Sequence, residues 1–431
     1  MRFAEALADL DARQPERMVP DLSRISAVAE LLDHPERTYP TIHVTGTNGK
    51  TTTTRVISAL ACAHGVSAGA YTSPHLLSVT ERIAVCGEPI SEQDFADEYE
   101  RLKPYLEVVD ERSEDRVTYF EALTALAFLH LADKPVQLGV FEVGMGGTWD
   151  ATNLVAGDVA VLGEIDLDHP ELGSTIAEVA TEKAGIVKPG KAAVSRAQPP
   201  EALAIIEARC AEYETTLALE GRDWSLDSRD PAVGGQLITI RGTHAAYEAF
   251  MLPLFGEHAA RNAAAAVAAM EAFLGHALDE DAIRSAFSAV RSPGRLEVVG
   301  RRPLVVLDGA HNPAGARALA TALDESFAWE RLLLVVGVSA NKDVAGVIRP
   351  LAPLATVAYV APHSSPRSAP AETVATALEA AGVQAARFPS VPEALATAVA
   401  DAKKDDLLLV TGSLYTVADA RRVLAPPDEP T

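Results

Sequence analysis

The chain has 431 residues, and 37 Lys and Arg against 60 Asp and Glu leave a formal charge of −23. That length exceeds the ~250–300 residues at which single cores stop growing, so two or three domains are expected. At 48% hydrophobic and 23% charged residues the composition is that of a globular protein, and the acidic balance argues against a nucleic-acid partner, which needs a basic face.

The first ~37 residues read as a helical preface, without the apolar run of a signal peptide. Thr41–Val44 reads as a short buried strand, followed by a glycine turn and then, from Lys50 to about His64, a helix with Val56, Ile57, Leu60 and Ala61 as its apolar stripe. Strand, glycine turn and helix open a mononucleotide-binding α/β unit. Val136–Val143 and Val159–Ile165 read as further parallel strands, and a helix after Ser174 ends near Gly185. An Ala-rich helix spans Glu257–Leu274, and the loop Arg291–Arg295 leads to a domain boundary placed near Gly300. Beyond it Leu304–Leu307, Leu332–Val336, Thr356–Val360 and Leu407–Val410 read as strands of a second, smaller doubly wound domain. No stretch approaches the ~20 apolar residues of a membrane span. Cys62, Cys86 and Cys210 are odd in number and show no paired spacing, so no disulfide framework and a reduced cytoplasmic setting are expected.

The sharpest local signal is Thr45-Gly46-Thr47-Asn48-Gly49-Lys50-Thr51-Thr52. Successive backbone N–H groups at a helix N-terminus cradle phosphate, a Lys reaches the β/γ oxygens, and a hydroxyl ligates Mg²⁺. Val44 stands where a full Walker A loop has its first Gly. Glu142 ends one strand, and His169, in Asp166-Leu167-Asp168-His169, follows the next. Both are candidate metal ligands, although a lone acid or His at a strand end is more often a cap or a structural group. Lys183 could be a plain counter-charge; a desolvated, neutral lysine could instead take up CO₂ as a carbamate. Asp308 and His311 follow the first strand of the second domain, and Arg261 and Arg295 could supply positive charge to a transferring phosphoryl group. Thr72–Leu76 and Thr118–Glu121 would suit a flat, polar-edged ligand, and fit plain loop and core equally well.

Together these segments resemble the folylpolyglutamate synthase/dihydrofolate synthase family of Mur ligases. The matching runs are VTGTNGKT (44–51), YTSPHL (71–76), ERI (81–83), TYFEALT (118–124), the stretch from Glu142 to Asn153, DLDH (166–169), IAEVATEKAGIVKPG (176–190), PGRLE (293–297), LDGAHNPAGA (307–316) and VTGSLYTV (410–417). The resemblance implies an α/β protein with an N-terminal P-loop ATPase-like domain (1–299) and a smaller Rossmann-like domain (300–431), with the active site in the cleft between them. It implies ATP-dependent addition of L-glutamate to dihydropteroate or a reduced folate. ATP and Mg²⁺ are the implied cofactors, with a monovalent cation as a further candidate. Gly46, Thr47, Asn48, Gly49, Lys50, Thr51, Asn262, Arg295 and Asp308 would bind ATP. Thr51, Glu142, His169 and a carbamylated Lys183 would hold the metal. Ser73, Pro74, His75, Tyr119, Phe120, Glu121, Asp150 and Ser413 would meet the substrates, and Lys50, Lys183, Asp308 and His311 would serve catalysis. A monomer without nucleic-acid or membrane partners is expected. Two departures stand out: Ala259 occupies a common Gln position, and Thr148-Trp149 replace Arg-Leu. A cell-wall precursor ligase and a non-catalytic nucleotide-binding module are the alternatives.

Overall fold

The structure is a computed structural model and describes residues 1–15, 19–167 and 169–424. The chain divides into two compact units: Met1–Arg229 with Leu237–Leu252 and Ala260–Val290, and Asp230–Gln236 with Pro253–Ala259 and Arg291–Thr431.

In the first unit α1 (Phe3–Asp11) and α2 (Ser23–Leu31) precede β1 (Thr41–Thr45), α3 (Lys50–Ala63) and β2 (Ala68–Tyr71). The hairpin β3 (Ile83–Val85) and β4 (Glu88–Pro89) leads to α4 (Glu92–Arg112), α5 (Tyr119–Asp133), β5 (Leu138–Glu142) and β6 (Val159–Leu162). Then come α6 (Ile176–Lys183), β7 (Ala192–Ser195), α7 (Pro200–Glu212) and β8 (Thr216–Leu219). The eight strands run in the order β4-β3-β2-β5-β1-β6-β7-β8. From β2 to β8 all pairings are parallel; β3 and β4 add an antiparallel edge. The chain builds one way from β1 through β2 and the other way through β6. The loop after β1 therefore sits where the strand order reverses, which is where open α/β sheets bind ligands.

Local chemistry explains why these segments fold so. β1 and β5 are buried along their whole length, as parallel strands covered on both faces must be. Val56, Ile57, Leu60 and Ala61, the stripe read from the sequence, are all buried on α3. Thr118 and Glu121 form a reciprocal capping box on α5, as Thr175 and Glu178 do on α6. A second apolar core packs α1, α2, α4 and α5 around Phe95, Tyr99 and Phe128.

A three-stranded sheet of β9 (Ser225–Ala232), β10 (Gly235–Arg241) and β11 (Ala246–Leu252) follows, and then α8 (Glu257–Leu274) and α9 (Glu280–Ala289). The second unit holds β12 (Glu297–Arg301), β13 (Leu304–Leu307), α10 (Pro313–Ser326), β14 (Leu332–Val336), α11 (Val344–Leu351) and β15 (Val357–Val360). It ends with α12 (Ala371–Ala380), β16 (Ala385–Arg387), α13 (Val391–Asp401), β17 (Leu407–Thr411) and α14 (Leu414–Leu424). Its sheet order is β12-β13-β17-β14-β15-β16, parallel except for β12 against β13. The four strands expected there all form.

The cysteine expectation needs correction. Cys62, in the last turn of α3, is bonded to Cys86, and Cys210 is free and buried. Their separation of 24 residues hid the pairing. The sheet closes it: β2 leaves α3 and pairs with β3, whose turn to β4 carries Cys86 at φ +48°. We expect alkylation in denaturant without reductant to label one thiol, that of Cys210, and three after reduction. Three labelled thiols without reduction would contradict the bond.

Candidate active site

The phosphate-loop sequence lies between β1 and α3 and is pressed between neighbours. Gly46 has φ +145°, and a Cβ there would lie 3.0 Å from Gly163 Cα. Gly49 has φ +82°, and a Cβ there would lie 2.3 Å from Asn262 Nδ2. Only glycine meets both conditions. Thr47 N–H donates to Glu164 O at 3.0 Å, and its hydroxyl both donates to Asp166 O and accepts from Asp166 N, each at 2.9 Å. Asp168 lies outside the described residues.

Two lysines converge on one carbonyl. Lys50 Nζ donates to Gly46 O at 3.1 Å and Thr47 O at 3.4 Å, while Lys183 Nζ donates to the same Gly46 O at 2.9 Å. Lys183 is 4% exposed, at the end of α6. Two ammonium groups at one oxygen repel unless an anion lies beside them. A triphosphate in this loop would meet both ammonium groups and the N-terminus of α3.

Glu142 ends β5 and is 2% exposed. Its Oε1 accepts from Thr51 Oγ1 at 2.9 Å and its Oε2 from Ser73 N–H at 3.0 Å. A hydroxyl and a carboxylate at this spacing form a hard oxygen donor pair, which suits Mg²⁺. That ion is usually held by one or two carboxylates plus substrate phosphates. The described residues contain no group of three or more His, Cys, Asp or Glu able to hold a metal alone. His169 is one-third exposed, with Nδ1 3.9 Å from Glu171 Oε2.

The expected acceptor segments divide into lining and support. His75 Nδ1 accepts from Arg82 Nε at 3.0 Å, and the Arg82 guanidinium lies over the Tyr119 ring at 5.4 Å. Phe120 packs on Gly144, where a Cβ would come within 2.5 Å of its ring. Glu121 takes Arg24 Nη2 at 3.0 Å and Nε at 3.1 Å, and accepts from Thr118 N–H. Its carboxylate is thus occupied by α2 and by the cap of its own helix. Asp150 is buried and accepts from Met145 N–H at 2.9 Å and Thr152 N–H at 3.0 Å. Burial pushes its carboxyl pKa up, against these hydrogen bonds. The Thr152 hydroxyl donates to Asp150 at 2.5 Å and accepts from His43 Nε2 at 2.8 Å. Thr148, which stands where the family commonly has Arg, donates its hydroxyl to Glu182 O at 3.1 Å.

In the second unit Asp308 follows β13 and accepts from Leu296 N–H at 2.9 Å and Ala310 N–H at 2.8 Å. Burial raises its pKa, and the Arg295 charge opposes the rise. Gly309 N–H donates to Gly294 O at 2.8 Å, which holds the Arg295 loop to the strand end. His311 Nδ1 lies 2.9 Å from Gly309 O, and Asn312 caps α10 through Gly315 N–H at 2.7 Å. β17 pairs with β13, so Ser413, just past β17, falls on the same edge; its Oγ accepts from Tyr415 N–H at 3.2 Å. Ala259, at the common Gln position, is buried.

Sequence reading missed Arg24, Arg196, Glu220 and the His43–Thr152 pair. Arg24 and Arg196 are buried arginines, 5% exposed each, and their partners are distant in sequence, so spacing gave no signal.

The Mur ligase middle domain model matches residues 44–270, and the Mur ligase, glutamate ligase domain model matches residues 294–414. The class is therefore a Mur ligase. A Mycobacterium tuberculosis protein named dihydrofolate synthase/folylpolyglutamate synthase is 42% identical over 387 residues, 85% of this chain and 80% of its own. The structure of Mycobacterium tuberculosis folylpolyglutamate synthase complexed with ADP superposes with a TM-score of 0.95 at 38% identity, covering 100% of this chain and 99% of that one. A bifunctional folylpolyglutamate synthase/dihydrofolate synthase with Mn, AMPPNP and L-glutamate bound gives a TM-score of 0.86 at 32% identity, covering 98% of each chain. The chain belongs to the dihydrofolate synthase/folylpolyglutamate synthase family.

His43 supplies a pH test of the buried layer under the loop. Burial, assisted by the Lys188 charge, lowers its pKa to about 3. An unfolded His binds a proton near pH 6.5, so between about pH 6.5 and 3 the unfolded chain holds one proton more than the folded one. Stability from this group therefore falls as pH falls, by about 1.4 kcal/mol per pH unit. Denaturant titrations from pH 6 to 4.5 should show a shallower slope for His43→Gln than for the parent chain. Equal slopes would contradict the assignment.

Proposed function

We propose that this chain is an ATP-dependent ligase that adds L-glutamate both to dihydropteroate and to reduced folate mono- or polyglutamates. The observation that carries this reading is Glu142, whose two oxygens join Thr51 of the phosphate loop to Ser73 of the acceptor loop. One carboxylate thereby fixes the distance between phosphoryl donor and acceptor.

An acceptor carboxylate oxygen attacks the γ-phosphorus, and the bond to the β–γ bridging oxygen breaks, giving an acyl phosphate and ADP. The neutral amine of L-glutamate then adds to the acyl carbon. The tetrahedral adduct loses inorganic phosphate and a proton, leaving the amide. A carboxylate is a weak nucleophile toward a polyanion, so the triphosphate charge must be offset. Lys50 would do this at the loop, and Arg295 is proposed to add positive charge to the transferring group. Thr51 and Glu142 would hold Mg²⁺, with His169 as a further ligand; bound there, the ion neutralises phosphate charge. Asp308 and His311 would bind nucleotide and the incoming glutamate, and Ser413 would contact glutamate. Ser73, Pro74, His75, Tyr119, Phe120 and Asp150 would line the acceptor site. The Arg24 pair makes Glu121 a support for that wall.

Lys183 is proposed to carry a carbamate. Its neutral amine would add to CO₂ and release one proton, turning a cation at Gly46 into an anionic ligand. We also propose residues 1–299 and 300–431 as the two functional domains of a cytoplasmic monomer. The Cys62–Cys86 bond is uncommon for that compartment.

Incubation with dihydropteroate, ATP, Mg²⁺ and L-glutamate should yield dihydrofolate and ADP, and tetrahydrofolate should gain glutamate in a parallel reaction. A well-folded protein that makes no dihydrofolate would remove the synthase half. Lys183→Ala should lose at least ~100-fold in kcat/KM and recover part with a short carboxylic acid in the buffer. Near-parental turnover in that variant would remove the carbamate role.

A further inference from the structure

Arg196 is the first residue past β7, and it is 5% exposed. Its Nη1 donates to Asn262 Oδ1 at 3.2 Å and its Nε to Glu220 Oε2 at 3.4 Å, and Nη2 lies 3.6 Å from Glu164 Oε2. Glu220 is itself 8% exposed, and it also accepts from Ala197 N–H and Arg261 Nε, each at 2.8 Å. Asn262, on α8, is 4% exposed and turns its Nδ2 toward Gly49, the residue that caps α3. Polar contacts thus run from Glu220 through Arg196 to Asn262, whose amide nitrogen lies against Gly49 of the phosphate loop.

The direction of that chain follows from donor and acceptor types. A carboxamide can turn over, exchanging its oxygen for its NH₂ with little change in shape. A guanidinium has donors only, so it must face Oδ1. Arg196 therefore selects the orientation that leaves the Asn262 NH₂ facing the loop, where a donor favours an anionic ligand and an acceptor would repel it. Glu220 holds the guanidinium through Nε while Nη1 faces Asn262, and the single ammonium of a lysine cannot span both partners in this way.

We propose that Arg196, held by Glu220, is a positioning residue for nucleotide binding: it locks the Asn262 carboxamide with its NH₂ toward Gly49. This rests on the reading of the Gly46–Lys50 loop as the ATP site. It predicts a defect that acts through Asn262 and is confined to the nucleotide.

The test measures the Kd of ADP by calorimetry, and KM for ATP and for dihydropteroate, in Arg196→Met, Asn262→Ala and the double variant. Arg196→Met should raise Kd for ADP and KM for ATP about tenfold or more. KM for dihydropteroate should stay within about twofold. On the Asn262→Ala background the same change should add less than about twofold, because the two residues act as one unit. Arg196→Lys, which keeps a donor for Oδ1, should recover part of the affinity. If Arg196→Met does not fold, Arg196→Lys and Glu220→Gln carry the measurement, each with an expected rise of about threefold in ADP Kd. Unchanged ADP affinity in folded Arg196→Met, or in both milder variants, would overturn the proposal. So would equal rises in both KM values, or full multiplication of the two single effects. Unchanged ADP binding in Asn262→Ala would locate the failure in the nucleotide role of Asn262 itself.

Discussion

The Gly46 carbonyl oxygen receives hydrogen bonds from Lys50 and Lys183, and much of the first unit serves that convergence. Two cations at one acceptor make a local concentration of positive charge, which favours an anionic ligand. The sheet order puts the loop at the reversal point, α3 starts directly behind it, and α6 ends with Lys183 buried against it. The glycines let Gly163 and Asn262 approach to distances that any side chain would forbid. A chain of charge −23 thus keeps a small cationic site by burying individual basic groups rather than by presenting a basic surface.

Buried arginines repeat the same device. Arg24 against Glu121 fixes the start of α5, and with it Tyr119 and Phe120. Arg82 spans His75 and the Tyr119 ring, joining the two segments expected to meet the acceptor. Arg24 and Glu121 are a buried ion pair, and removing one partner leaves an uncompensated charge, a costly change. Buried arginine contacts therefore hold the segments expected to meet acceptor and nucleotide.

Much of this was legible in the sequence because periodicity and turn chemistry are local. α8 and the second-unit strands fall where apolar spacing places them, and the Gly46–Thr51 run needs no distant partner to be read. What escaped notice depends on chain reversal. Cys62 and Cys86 meet because β2 pairs with β3, not because of their spacing. Arg196 gains its role from Asn262, 66 residues away, and Glu220, 24 residues away. The pairing of Glu121 with Arg24 of α2, 97 residues away, likewise gave no sequence signal. The β9–β11 sheet went unread, since its exposed and buried residues do not alternate strictly.

The central claim is that the γ-phosphoryl group passes to the acceptor carboxylate before glutamate attacks. Dihydropteroate labelled with ¹⁸O in that carboxylate tests it most directly, with the inorganic phosphate read by mass spectrometry after a single turnover. One labelled oxygen should appear in each phosphate released. Unlabelled phosphate, with the labelled oxygen lost from the carboxylate found in AMP or in water instead, would contradict the acyl phosphate.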